Sequence, residues 1–278
     1  VAVNVEVVLE PLKYKYVIVD DATHVLEEWE EGDDRMADFD RMPDGEVRVL
    51  DGGLLRKREK IWKAAGVVVP VFSLRSERSC GVGDFGDLKL LVDWAAATGM
   101  RMIQLLPVND TTMQHNWNDS YPYNTISVNA LHPQYIDLDA VGALSNEGSM
   151  MDYQRRRSEL NNLAYTDYEA VEKVKSEYLR QLFADREAGL ADDEDFARFK
   201  KDNEDWLSTY AAFCILRDKY HTARFTDWKE DSTYSRRKVE TLVKQREAEY
   251  ICWVQYMLHI QLKDAAEYAK GKGITFMA

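Results

Sequence analysis

The spacing of apolar residues changes rhythm three times along the chain. Over roughly the first 50 residues it is short and strand-like. Residues 1–9 (VAVNVEVVL) alternate in part, and residues 14–19 (YKYVIV) and 46–50 (EVRVL) are β-branched and aromatic runs. Asp-rich turns containing glycine separate them, so this part is expected to be a piece of a β-sandwich or a small packed sheet. A basic segment follows at 56–60 (RKREK), and then residues 67–74 (VVVPVFSL) form a continuous apolar run. That run predicts a strand buried on both faces, with Pro70 out of place unless it donates no ladder bond. The turn Gly81-Val-Gly-Asp84 opens a helix, with Asp84 as N-cap, Asp87 in its first turn and Gly99 as its stop. Leu88, Leu91, Val92 and Ala95 make its apolar face, and residues 102–106 (MIQLL) predict a second buried strand. Strand, helix, strand in this order implies a parallel sheet.

From about 141 to 250 the period becomes helical. Thr166 with Glu169 reads as a capping box before Val171, Val174, Tyr178 and Leu182. A second helix carries Leu207, Tyr210, Ala211 and Cys214, and a third begins near Ser235 and runs through Leu262. Gly271 and Gly273 stop it, and residues 274–277 (ITFM) start a further strand. A doubly wound sheet and a β/α barrel both begin in this way. No GxxxxGK[ST] pattern follows either early strand, so phosphate binding of the P-loop kind has no support. A barrel closes only with eight strands. The 278 residues are consumed before a third strand is complete, and the chain opens on Val rather than Met, so it is expected to be part of something longer.

Charge narrows the partners. Basic residues number 36 against 49 acidic, a net of −13, which disfavours nucleic acid and anionic membrane and suits a neutral substrate. Cys80, Cys214 and Cys252 lie far apart with no CxxC pair, so no disulfide framework is expected and a reducing compartment is the default. No apolar run approaches the ~18 residues of a membrane span, and no secretory leader is visible.

The candidate chemistry sits just after the second buried strand, where a barrel builds its active site. A sugar binder needs flat aromatic surface for a pyranose face and polar groups at the edge. Asp119-Ser-Tyr121-Pro122-Tyr123-Asn124 supplies both: Tyr121 and Tyr123 to stack, Asp119 and Asn124 to bond hydroxyls. The same residues also read as an ordinary turn with half-buried rings. Trp29, flanked by acids, reads either as an exposed stacking platform or as a core residue at a strand end. The five histidines show no metal-ligand spacing. His115 and Trp117 lie in the loop before the tyrosines, as solvated residues or facing a substrate. No GxSxG or other activated nucleophile is visible, and no spacing selects an acid/base pair.

The run from Gly81 to Asp110 (GVGDFGDLKLLVDWAAATGMRMIQLLPVND), followed by residues 120–138 (SYPYNTISVNALHPQYIDL), resembles the 4-α-glucanotransferases known as amylomaltases or disproportionating enzymes, glycoside hydrolase family 77. Residues 250–274 resemble that family's helix before its third strand, and the likeness covers about 65 to 278. The front end, Tyr14 to Asp20 with Trp29 to Arg35, resembles the end of a family 20 starch-binding module. The resemblance implies the N-terminal portion of a (β/α)8 TIM barrel with a large helical insertion, preceded by part of a β-sandwich: 1–52 the sandwich, 53–140 the first barrel strands, 141–250 the insertion, 251–278 the return to the barrel. It further implies a cytoplasmic, cofactor-free retaining transferase acting on maltose, malto-oligosaccharides and larger α-glucans or heteroglycans. The attacking aspartate and protonating glutamate of the family match no position here, so no catalytic residue is expected within this chain. Tyr123 matches the tyrosine that packs on the sugar beside the scissile bond, and Trp29 and Lys15 match sugar-contacting positions of the module. Asp34 stands where the module usually has asparagine, and residues 111–118 (TTMQHNWN) replace a loop that is usually shorter and glycine-rich. An α-glucan hydrolase and a non-catalytic glucan-binding scaffold remain the alternatives.

Overall fold

The computed structural model describes residues 11–38, 53–56 and 63–277. The chain divides into two compact units, Val1–Lys63 and Ala64–Ala278. The strands expected at 1–9 and 46–50 lie outside the described residues.

In the first unit, β1 (Leu12–Tyr14) pairs antiparallel with β4 (Arg35–Ala37), and β2 (Val17–Val19) with β3 (Leu26–Trp29). The run YKYVIV is thus two short strands broken at Lys15 and Tyr16 rather than one. The polar centre of this unit is Glu30. Its buried carboxylate accepts from Arg35 Nε at 2.9 Å, from Arg56 Nε at 3.2 Å and from the Arg56 backbone N–H at 3.0 Å. Two guanidinium groups and a backbone donor compensate the charge that burial would otherwise penalise. The Arg35 bonds chiefly hold the Glu30 carboxyl well below the usual carboxylate range, against its desolvation.

The second unit is mixed helix and strand. A parallel three-stranded sheet has the order β5 (Gly66–Val69), β6 (Met102–Leu105), β7 (Thr275–Met277), with Val67 opposite Ile103 and Ile103 opposite Phe276. β5 is shorter than expected. It ends at Val69, and Pro70 leads into a 3-10 turn at Val71–Ser73, because a ring nitrogen with no proton cannot continue the ladder. α1 (Phe85–Ala97) connects β5 to β6 as anticipated. Asp84 caps it by accepting from the Gly86 and Asp87 backbone at 2.9 and 3.2 Å, while Asp87 accepts from the Asp84 N–H at 3.1 Å. Gly99, at φ 77°, ends the helix in the left-handed region.

The glycines at 81, 83 and 86 also have the G-x-G-x-x-G spacing of dinucleotide-binding turns. Here they serve packing instead. A Cβ on Gly83 would lie 2.0 Å from the Val71 carbonyl oxygen, and the Asp84 carboxylate occupies the helix N-terminus where a pyrophosphate would sit.

Helices follow: α2 (Leu138–Val141), α3 (Glu147–Asn161), α4 (Tyr168–Leu190), α5 (Glu194–Asp202), α6 (Glu204–Tyr220), α7 (Arg236–Leu242) and α8 (Arg246–Gly271). The N-cap of α4 is Asp167 rather than Thr166: Asp167 accepts from the Ala170 N–H, and the Thr166 hydroxyl accepts from Arg75. The helix expected from Ser235 is two, α7 and α8, separated at Val243–Gln245. One apolar cluster joins Leu88 and Val92 of α1, Ile103 and Leu105 of β6, Leu179 and Phe183 of α4, and Trp253 and Leu258 of α8. Each such side chain, removed from water, stabilises by roughly 1.5–3 kcal/mol. Cys80, Cys214 and Cys252 are buried free thiols. No described helix is long and apolar enough to cross a membrane.

Candidate functional site

The segment between β6 and α2 leaves the C-terminal end of the parallel sheet and carries the candidate sugar residues. Its base is Asp110, 1% exposed. One carboxylate oxygen accepts from the Thr112 N–H and hydroxyl at 3.0 and 2.6 Å, and the other from the Tyr210 hydroxyl of α6 at 2.7 Å. Burial pushes the Tyr210 phenol well above its ordinary value, so it stays protonated and donates.

Asp119 is turned inward. Its carboxylate accepts from the backbone N–H groups of Gln114 and Asn116 at 3.0 and 3.3 Å, and its carbonyl accepts from the Thr111 hydroxyl. With Asn116 it forms a reciprocal cap on the 3-10 turn Trp117–Ser120. The structure therefore uses Asp119 to shape the loop. The next four residues make a turn closed by Asn124 N–H to Tyr121 C=O at 3.2 Å, with Pro122 at its second position, where a fixed φ favours turning. Pro122 is buried, and the rings on either side point outward. Tyr121 and Tyr123 are 60% and 58% exposed, with centroids 5.5 Å apart. The Asn124 side chain is exposed and donates to Met113 Sδ at 3.5 Å. Trp117, 58% exposed, rests edge-on against Tyr168 of α4 at 5.1 Å.

The returning half of the segment is held by two glutamines and a buried lysine. Gln255 of α8 accepts from Leu131 N–H and donates to Leu131 C=O, both at 2.8 Å. Gln261 grips Asp137 in the same way at 2.8 and 2.9 Å. Lys175 of α4, 2% exposed, donates to the carbonyls of Gln134 and Ile136 at 2.7 Å each. Each glutamine imitates a strand neighbour, satisfying a buried backbone pair that no strand reaches. Behind the loop lies a cavity of about 100 Å³ bordered by Asp110, His132, Glu172, Tyr210, Asp218 and Gln255.

The sequence did not single out Glu172, Asp218 or Gln255, and it marked Tyr210 only as one of the spaced positions of a helix. Only Gln255 carried a local signal, as one polar residue inside the apolar run ICWVQYML.

In the first unit, Trp29 ends β3 and is 61% exposed, so it is a surface ring. Lys15 donates to the Gly32 carbonyl at 2.8 Å and lies 3.8 Å from Asp34. Its ammonium is thus already engaged at the turn that follows Trp29.

Known proteins similar to this chain are 4-alpha-glucanotransferases and amylomaltases. The chain is 39% identical over 277 residues to the 4-alpha-glucanotransferase DPE2 of Oryza sativa subsp. japonica, covering 95% of this chain and 28% of that protein. It is 28% identical over 237 residues to the 4-alpha-glucanotransferase of Chlamydia muridarum, covering 82% and 43%. Among solved structures, amylomaltase from Streptococcus agalactiae in complex with acarbose superposes with a TM-score of 0.60 at 22% identity, over 77% of this chain and 42% of that one. Amylomaltase from Corynebacterium glutamicum does so with a TM-score of 0.56 at 21% identity, over 77% and 30%. The chain thus spans less than half the length of the proteins it matches. Residues 69–278 match glycoside hydrolase family 77, described as 4-alpha-glucanotransferase, and the chain belongs to that family.

Proposed function

We propose that this chain forms the glucan-facing first part of a 4-alpha-glucanotransferase. The second unit would supply the early strands of a (β/α)8 barrel with residues 141–250 as a helical insertion, and the first unit the end of a starch-binding β-sandwich. The observation that carries this reading is the exposed ring pair Tyr121–Tyr123 on the loop beyond the C-terminal end of a parallel sheet. Two tilted rings 5.5 Å apart offer an apolar wall for successive glucose units of maltose or a longer glucan. Asn124 stands at its edge as a hydroxyl partner.

The chemistry asked of the protein is retaining transfer. A carboxylate attacks the anomeric carbon, a carboxylic acid protonates the leaving oxygen, and a hydroxyl of a second glucan takes the glucosyl unit as that group recovers its proton. Asp110 and Asp119 are buried and occupied by hydrogen bonds, which suits them to holding the loop rather than to attack. We assign both reacting carboxylates to sequence outside these 278 residues.

The test is product analysis on maltotriose. The full-length polypeptide should give both shorter and longer oligosaccharides without net hydrolysis, and the isolated chain should give none. Glucose release to water without longer products would favour the hydrolase reading. Turnover by the isolated chain would overturn the assignment of the carboxylates.

A further inference from the structure

The loop that carries the tyrosines contains a residue the sugar wall does not account for. His115 sits at φ 55°, a left-handed conformation that costs a non-glycine residue energy and needs surrounding support. Both ring nitrogens meet carboxylates: Nδ1 is bonded to Glu172 of α4, and Nε2 to Asp218 Oδ1 of α6 at 2.9 Å. A ring bonded to acceptors at both nitrogens donates from both, so it is held as imidazolium. The contacts nearby run in the same direction. Arg217 donates to Asp218 at 2.7 Å and to the Thr112 carbonyl at 3.1 Å. The Trp117 N–H donates to Glu169 at 3.0 Å, and the Ala223 N–H to the Met113 carbonyl at 3.0 Å.

We infer that His115 is a positioning residue: it fastens the loop bearing Tyr121 and Tyr123 to α4 and α6, so that the protonation of one imidazole governs how the ring pair is presented to a glucan. Its consequence for catalysis rests on the glucanotransferase reading; the fastening itself rests on geometry alone. The helices at 168–220 then act as a jig for the sugar wall.

The charges around the ring set the pH at which the fastening fails. Glu172 faces it from α4, and Asp218 and Arg217 from α6. Further along the same cavity, Arg180 of α4 is paired with Glu247 of α8 at 2.7 Å, Lys175 is spent on carbonyls, and Asp110 and His132 lie on the loop side. The bonds to Asp218 and then Glu172 raise His115 from its ordinary 6.5 to about 9. Burial works against the Asp218 carboxylate, but His115 and Arg217 outweigh it and hold it down to about 2. A group whose folded pKa is raised contributes its full hold below the unfolded value and loses it as pH climbs through the folded one. The His115 fastening is therefore present in full just below pH 6.5 and is lost as pH rises through about 9, while the other ties persist.

Two measurements decide this. In amide hydrogen exchange at neutral pH on the full-length polypeptide, His115→Ala should speed exchange across residues 112–124 by about tenfold while α1 and β6 keep wild-type rates. In maltotriose transfer, the same variant should raise KM by about tenfold with kcat changed less than about threefold. Asp218→Asn, which keeps the side-chain shape, should move the alkaline fall of kcat/KM from near pH 9 towards 6.5. Unchanged loop exchange in both variants would overturn the inference. A wild-type enzyme that transfers no glucosyl units would instead sink the functional reading, while the exchange data still decide the fastening.

Discussion

Trp29 in the first unit and Tyr123 in the second are about equally exposed, at 61% and 58%, yet they are supported very differently. Trp29 ends a four-residue strand whose described partner is the three-residue β2, and the nearest organised centre is the Glu30–Arg35–Arg56 cluster. A lone pair of short strands is marginal in water. Tyr123 is carried by a loop tied at Asp110, His115 and Asp119, with the returning half gripped by Gln255 and Gln261. On the proposed reading, in which Trp29 collects glucan and Tyr123 aligns it, exposure alone therefore does not separate the two roles. Gripping a short sugar demands a fixed ring, since a mobile one must be ordered at each binding event. Collection demands only an accessible one.

Removing support should break this contrast most strongly at Gln255. Gln255→Leu keeps a side chain of similar size in the core but leaves the Leu131 N–H and C=O without a buried partner. The expected loss is about 2–4 kcal/mol in denaturant unfolding of the second unit, with no change in binding at Trp29.

The contrast extends to pH. The first unit depends on an ionised Glu30, whose folded pKa is depressed, so its hold is present above about 4.5 and lost as the solution is made strongly acid. The loop bearing Tyr121 and Tyr123, as inferred above, draws on a protonated His115 and loses that hold in the opposite direction, as pH rises through about 9. Hydrogen exchange followed from pH 2 to pH 10 and corrected for intrinsic rates should show the two regions loosening at opposite ends.

A smaller effect is expected at Asp84, which supports α1 and neither ring. Asp84→Ala should cost about 1 kcal/mol through loss of the cap, and Asp84→Asn close to nothing. Burial raises the Asp84 carboxyl from 3.8 to about 7, so the Asn variant should gain on the wild type as pH rises between those values and hold that gain above them. Thermal melts at pH 4 and pH 8 would read this.

Local signals made the βαβ unit legible from sequence. The cap at Asp84, the stop at Gly99 and the apolar strand around Ile103 each act over a few residues, and the tyrosine loop followed from its place after that strand. The ends of elements were harder. Pro70 cut β5 short, and the α4 cap fell on Asp167 because Thr166 was engaged by Arg75. The support of the site was almost wholly hidden: His115 meets Glu172 across 57 residues and Asp218 across 103, and no periodicity encodes such pairs. The lone polar Gln255 in an apolar stretch was the one visible trace, since a buried amide there needs a partner.

The most direct test crosses the two rings with two substrate lengths in the full-length polypeptide. Tyr123→Ala should lower kcat/KM for transfer by about a hundredfold on maltotriose and on a soluble polymeric glucan alike. Trp29→Ala should leave maltotriose transfer intact and weaken polymer binding by about tenfold. If Tyr123→Ala instead transfers glucosyl units from maltotriose at the wild-type rate, the loop after β6 is not the wall that grips the sugar, and the account is contradicted.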